Sequence, residues 1–165
     1  MGIDLSGMIR PDAGLFFSRN DPNDPRLGEY VNTEEVDYDA AHIVVIGCPQ
    51  DEGVLRNGGR TGAADGPRAI REQFYRLTTF NVKKRIVDIG DVATNGSLEE
   101  IHDRLTGVAR RVLADGKRVI VLGGGNDISY ADGVAMSELP TSACRPGHRN
   151  APDGPVPRWS SMTIR

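Results

Sequence analysis

Residues 118–127 read RVIVLGGGND, a short run of β-branched apolar residues that passes directly into three glycines. Such a run is typical of a strand that is covered on both faces, as in a parallel sheet. Two other segments have the same character, HIVVIGC at 42–48 and RIVDI at 85–89. The sequence therefore predicts three parallel strands.

Helical patterns follow each of these strands. The clearest helical pattern begins after Ser97, which forms a capping box with Glu100, and it ends at Gly116. Proline fits the first position of a helix that is predicted over 67–78, and a further helix is predicted over 128–138. The alternation of strands and helices predicts an α/β fold with helices on both faces of a parallel sheet.

The chain divides into three parts by composition. Residues 1–40 are rich in Asp, Asn, Pro and Gly, and we predict an irregular N-terminal arm. Residues 41–140 carry the strand and helix patterns, and they form only a partial α/β domain because a typical sheet has about four to six strands. Residues 141–165 contain four prolines and no apolar run, so we expect disorder there.

Composition and charge exclude several classes of function. The net charge of −3 offers no basic face to a nucleic acid. No apolar run approaches the roughly 18 residues of a membrane span. The N-terminus lacks a secretory signal pattern, so we expect a cytoplasmic protein. Cys48 and Cys144 form neither a disulfide framework nor a zinc pattern, and both are predicted to be free thiols.

Two glycine-rich loops follow predicted strands, where ligands of open α/β sheets bind. The run at 123–125 matches the start of a dinucleotide fingerprint, but Ile128 occupies the third glycine position. Alternatively, these glycines only allow a tight turn before a helix that Asn126 or Asp127 caps. The loop at 51–67 is uncommonly long for a compact domain, which favours a functional role over a plain surface loop.

Several titratable residues are weaker candidates. Asp88 and Asp91, in VDIGDV, could form a carboxylate pair for a metal or for acid–base chemistry, but we predict that they are turn formers. His42 and His102 have no partner at the spacing of metal ligands. We therefore expect both histidines to be structural.

Three motifs in this order resemble the ureohydrolase family, which contains arginase, agmatinase and formimidoylglutamase. They are GVLRNGGRTGAADGPRAIR at 53–71, RIVDIGDV at 85–92, and the strand followed by GGGND. The arm segment NDPNDPRLGEYV is most similar to formimidoylglutamase. The resemblance implies a three-layer α/β/α sandwich with a parallel sheet and two manganese ions at the carboxyl ends of the strands. It also implies hydrolysis of a C–N bond in a small linear amidine or guanidine by a metal-activated hydroxide.

The resemblance also assigns metal-ligand and active-site positions to residues of this sequence. The family's first metal ligand is a His directly after the glycine run, where this sequence has Asn126, and an amide oxygen is a weaker manganese ligand than imidazole. Asn57, Arg60 and Asp127 fall in substrate or active-site loops, and no catalytic residue is assigned. The family's D-A-H-x-D and S-x-D-x-D-x-x-D-P segments do not occur in this sequence. We therefore expect a truncated ureohydrolase that is inactive as this chain.

Residues 141–165 stand where the family's fourth strand is expected. We interpret them as an out-of-frame end, because 17 Arg against 3 Lys indicate GC-rich coding DNA.

Two alternatives to the hydrolase stay open. The partial sheet could be a non-catalytic assembly or regulatory module whose free edge pairs in a homo-oligomer. The glycine run could instead bind a nucleotide.

Overall fold

The computed structural model describes residues 3–138. Its strands and helices are, in chain order, β1 (Met8–Ile9), α1 (Leu27–Tyr30), β2 (Ile43–Gly47), α2 (Glu52–Arg56), α3 (Gly66–Phe74), β3 (Ile86–Val92), α4 (Leu98–Ala114), β4 (Arg118–Leu122) and α5 (Ile128–Ser137). The segment at 141–165, for which we expect disorder, lies outside the described residues. None of the described helices is long and apolar enough to cross a membrane.

The sheet has the strand order β1-β3-β2-β4. β2 runs parallel to both β3 and β4, as predicted. β1 comes from the N-terminal arm and runs antiparallel to β3, with Met8 opposite Val92. The sheet is therefore mixed, and the prediction of a wholly parallel sheet of three strands is wrong at this edge. A strand of two residues is too short to show an alternating pattern in the sequence.

Helices cover both faces of the sheet. Because successive side chains of a strand point to opposite faces, Val44 and Ile46 of β2 join one apolar cluster and Val45 joins another. The first cluster contains apolar side chains of α4 and α5, among them the fully buried Leu105. The second contains side chains of the arm and Tyr75, directly after α3. The expected three-layer α/β/α arrangement is confirmed.

The helix boundaries of α4 agree with its sequence signals. The Ser97 side chain accepts a hydrogen bond from the Glu100 amide at 3.2 Å, and the Glu100 carboxylate accepts one from the Ser97 amide at 2.7 Å. Gly116 has a φ of +74°, in the left-handed region that glycine adopts at helix ends. This capping box fixes the start of α4 at the carboxyl end of β3.

Two predicted boundaries are wrong. The helix predicted over 67–78 ends at Phe74, because the following backbone bonds to the arm instead: the amide of Leu27 donates to the carbonyl of Leu77 at 2.8 Å. β3 continues to Val92 instead of turning after residue 89. Gly90 lies within this strand with a φ of +92°, and a Cβ there would overlap the carbonyl oxygen of Ile9.

The N-terminal arm packs closely on the sheet. The ring of Phe16 stacks on that of Tyr75 with 4.4 Å between their centroids. The carbonyl of Asn32 accepts a hydrogen bond from the amide of Asp88 at 2.9 Å, so the arm also bonds to β3 outside β1. β1 and the Asn32 backbone thus cover the edge of β3 that faces away from β2.

Candidate functional site

The loops that follow β2 and β4 contact each other at the carboxyl ends of the strands. The amide of Gly125 donates to the carbonyl of Gln50, and the amide of Cys48 donates to the carbonyl of Leu122, both at 2.9 Å. A Cβ on Gly124 would overlap the carbonyl oxygen of Gln50. The glycine run therefore allows two backbones to lie in direct contact next to the candidate site.

This close approach makes Gly124 sensitive to substitution. Gly124→Ala is expected to lower the free energy of unfolding by about 1–3 kcal/mol, because the added methyl group must displace a backbone rather than a flexible side chain. The measurement is urea unfolding followed by circular dichroism.

The matched control is Gly107→Ala on α4, where a Cβ would meet no atom within 4 Å. This substitution is expected to raise stability by up to about 1 kcal/mol, because alanine has the higher helix propensity. Equal effects of the two substitutions would contradict the proposed role of the contact between the loops.

Asp127 is held by side chains from two other parts of the chain. Its Oδ2 accepts a hydrogen bond from Gln50 Nε2 at 2.7 Å and lies 2.6 Å from His102 Nε2. Its Oδ1 is buried and has no hydrogen-bond partner among the described residues. We call Gln50, His102 and Asp127 the strand-end cluster. It joins the ends of β2 and β4 to α4.

The cluster corrects one expectation about His102. The sequence offers no partner for this histidine at the spacing of metal ligands, yet its ring faces Asp127 and is largely buried. His102 lies in the second turn of α4, and a helix that follows a parallel strand begins near the carboxyl end of that strand. Its position near the start of α4 is the sequence signal that could have placed it at the site.

The other predicted site residues lie on exposed loops. Asn126 is exposed beside Asp127, and its carbonyl accepts a hydrogen bond from the amide of Ser129 at 3.2 Å at the start of α5. Asn57 follows the last residue of α2, and Arg60 lies in the loop beyond it. Among the described residues, the side chains of Asn57 and Arg60 have no hydrogen-bond or ion-pair partner. The structure brings only Asp127, of the four, into the cluster.

A cleft of about 320 Å³ opens beside the cluster, between α2 and the start of α4. Gln50 and Asp51 line it from the end of β2, and Ser97 lines it from the cap of α4. Arg56 bridges the two helices, with its guanidinium 3.0 Å from Glu52 and 2.6 Å from Glu99. Positively and negatively charged side chains thus surround a cleft that a small molecule could enter.

The cluster does not amount to a complete manganese site. Within residues 3–138, no group of three or more His, Cys, Asp and Glu side chains is arranged to hold a metal ion. Cys48 lies nearby, but burial first, and then the charge of Asp127, raises the pKa of its thiol to about 12. A protonated thiol is a poor metal ligand. The described residues therefore do not fit a two-manganese centre by themselves.

Asp88 and Asp91 belong to a buried ion-pair network. The Arg71 guanidinium donates to the two oxygens of Asp88 at 2.8 and 2.9 Å and to Asp91 Oδ1 at 2.5 Å. The Tyr75 hydroxyl also donates to Asp88. The prediction that these aspartates form turns is wrong, because both lie within β3 and Asp88 points to the face that α3 covers.

The charges in this network stabilise one another. The side chains of Arg71 and Asp88 are 1% and 0% exposed. Burial lowers the pKa of the Arg71 guanidinium, but the hydrogen bonds and charges of Asp88 and Asp91 outweigh burial and raise it above its ordinary value. Burial, followed by the charge of Asp88, raises the pKa of Tyr75. Arg71 occupies both aspartates, so this pair is not arranged as a metal site.

Comparisons with known proteins bear on the same segment. A sequence model of the arginase family matches residues 41–144. The formimidoylglutamase of Klebsiella pneumoniae is 39% identical over 99 residues, which are 57% of this chain and 30% of the relative. The chain therefore spans about 30% of the length of this curated relative.

Solved structures give the same result. A crystal structure of Trypanosoma cruzi formiminoglutamase with Mn²⁺ matches with a TM-score of 0.62 and 40% identity, over 68% of this chain and 40% of that one. An asparagine-to-histidine variant of the T. cruzi protein, also with Mn²⁺, matches with a TM-score of 0.56 and 35% identity, over 77% and 40% of the two chains. The matches favour neither the assembly module nor the nucleotide-binding alternative.

Proposed function

Because the chain belongs to the arginase family of hydrolases, we propose that it carries the first strand–helix units of a manganese-dependent enzyme that hydrolyses the C–N bond of formimidoylglutamate. We propose further that this chain is inactive by itself. The first part is supported by the identity of 39–40% to formimidoylglutamases. The second is supported by the incomplete set of metal ligands among residues 3–138.

The observation that carries the proposal is the placement of Asn126. It follows the glycine run at the carboxyl end of β4, where the family places its first metal ligand, and its side chain is exposed. The neighbouring Asp127 has a buried carboxylate oxygen without a partner among the described residues. Amide and carboxylate oxygens are ligands that suit a hard divalent cation, but two such residues are far short of the ligands that two ions require.

The residues of this chain have a positioning role in the proposed enzyme. Gln50 and His102 hold one oxygen of Asp127, which fixes the backbone that presents Asn126. When bound, manganese supplies a Lewis acid and an activated water to amidine hydrolysis. We assign no reacting group to this chain.

The test combines Mn²⁺ titration by calorimetry on the full chain with an assay for formamide release from formimidoylglutamate. We expect no binding of two ions and no formamide. Tight binding of two ions with turnover would contradict the proposed inactivity. Release of urea from arginine or agmatine without formamide would contradict the proposed substrate.

Two variants test the assigned position separately. Asn126→His is expected to bind Mn²⁺ more tightly than the unchanged chain, because imidazole is a better ligand than an amide. The control is Asn57→His, which places a histidine on another exposed loop position after α2. Equal Mn²⁺ affinities of the two variants would refute the assignment of Asn126.

A further inference from the structure

The amino ends of the three parallel strands form a charged surface at the opposite edge of the sheet from the glycine run. In the strand register, Ile43 lies beside both Ile86 and Arg118. The residues at the amino ends of β2, β3 and β4 therefore lie together at one edge of the sheet. A cleft of about 400 Å³ opens there, and we call it the amino-edge cleft. Its charged and titratable lining residues are Asp39, His42, Lys84, Asp115, Lys117 and Arg118.

The cations without a partner are concentrated at this edge. Most Arg and Lys side chains of the described residues bind a carboxylate, a backbone carbonyl or an aromatic face, as Arg68 does with Glu72. Five of them have no such partner within residues 3–138: Arg60, Lys83, Lys84, Arg85 and Arg118. Four of these five stand in the runs KKR at 83–85 and KR at 117–118, which lead into β3 and β4.

The floor of the cleft is fixed by a cation that is already bonded. Lys117 Nζ donates to the carbonyls of Asp39 and Ala41 at 3.1 and 3.0 Å, and it lies 4.7 Å from the centre of the Tyr38 ring. Its charge is thereby held in place beside the unpartnered Lys84 and Arg118. Three positive charges, those of Lys84, Lys117 and Arg118, thus lie on the lining of the same cleft.

The carboxylate of Asp115 bonds to side chains other than those of Lys84 and Arg118. Its carboxylate accepts hydrogen bonds from the Tyr38 hydroxyl at 2.8 Å and from Arg111 Nε at 2.9 Å. Asp115 is therefore already paired with a cation outside the cleft lining. The side chains of Lys84 and Arg118 have no hydrogen bond or ion pair within residues 3–138.

We propose that the amino-edge cleft binds a small anion with two or more negative charges, either a phosphate or a di- or tricarboxylate. Arg118 offers the planar fork that pairs with two oxygens of one such group, and Lys84 offers a second point charge. The cleft volume lies at the lower end of the roughly 300–1,000 Å³ typical of small-molecule sites. The carboxylates of Asp39 and Asp115 on its lining disfavour a long polyanion such as a nucleic acid.

The test is calorimetric titration of the full chain with inorganic phosphate, pyrophosphate and citrate, each at the same ionic strength set with sodium chloride. We expect saturable binding of one anion per chain, with a rise in the thermal midpoint at the same anion concentrations. Tighter binding of the phosphates would identify a phosphate group as the ligand, and tighter binding of citrate a polycarboxylate. Absence of saturable binding by all three anions would overturn the proposal.

A pair of double variants distinguishes a specific binding site from general attraction of anions by positive charge. Lys84→Gln/Arg118→Gln removes two cations that line the cleft, and it is expected to weaken binding of the preferred anion by about tenfold or more, as expected for lost charge-assisted hydrogen bonds. Lys83→Gln/Arg85→Gln removes the same charge from the same edge without touching the lining. It is expected to change affinity by less than about threefold, through long-range electrostatics alone. Equal losses in the two variants would overturn the proposal.

Discussion

Replacement of Arg71 by methionine is expected to lower the free energy of unfolding by about 3–5 kcal/mol, the largest effect of any substitution considered for this chain. Methionine fills much of the same space but leaves Asp88, which is 0% exposed, without its cation. Of the four hydrogen bonds to the Asp88 carboxylate, those from the Tyr75 hydroxyl and the Gly90 amide remain. They do not replace a full positive charge.

The matched control lies three positions earlier on α3. Arg68 forms an ion pair with Glu72 at 3.3 Å, and both side chains are largely exposed. Arg68→Met is therefore expected to change stability by less than about 1 kcal/mol. Urea unfolding of both variants, followed by circular dichroism, makes the comparison.

A double variant distinguishes a lost charge pair from lost packing. Arg71→Met/Asp88→Asn removes both charges of the pair, so it is expected to be more stable than Arg71→Met alone. Tyr75→Phe makes a smaller change in the same network and is expected to cost about 1 kcal/mol. Similar losses in Arg71→Met and Arg68→Met would contradict the buried network.

The second large effect is expected at Leu105, which is 0% exposed on the face of α4 that packs on the sheet. Leu105→Ala is expected to lower the free energy of unfolding by about 2–5 kcal/mol, because it removes buried methyl groups and leaves a cavity. Chemical unfolding with a constant denaturant slope is the measurement.

The control for Leu105 is the same substitution on an exposed leucine. Leu55 lies in α2 and is 56% exposed, so Leu55→Ala is expected to change stability by less than about 0.5 kcal/mol. If the two leucines proved equally tolerant, α4 would not pack on the sheet in solution as described.

The elements that the sequence predicts well are those whose signals are local. β2, β4 and α4 each combine a continuous apolar pattern with clear end signals, such as the glycine run after β4 and the capping box of Ser97. β1 has no such signal, because it forms only when the arm folds back onto β3. The sequence does not predict the continuation of β3 through Gly90, because glycine next to aspartate is also typical of turns.

The candidate site also combines a residue that local sequence signals predict with residues that they do not. Asp127 could be identified from its place after the glycine run, at the end of a predicted strand. Its partners could not, since Gln50 precedes it by 77 positions and His102 by 25. Asp88 likewise has its partner on another element, because Arg71 lies 17 positions earlier on α3. A side chain whose partner comes from another element gives no periodic signal in its own neighbourhood.

The strand order β1-β3-β2-β4 has a consequence for the time at which the sheet can be completed. The chain must be synthesised from Ile43 to Arg118 before β4 can pair with β2. At about 5–20 residues per second on the ribosome, these 75 residues take about 4–15 s. β3 is complete at Val92 and can cover the other side of β2 earlier. During synthesis, the side of β2 that faces β4 is therefore the last to be protected, and a chaperone that binds extended apolar segments would find its target there.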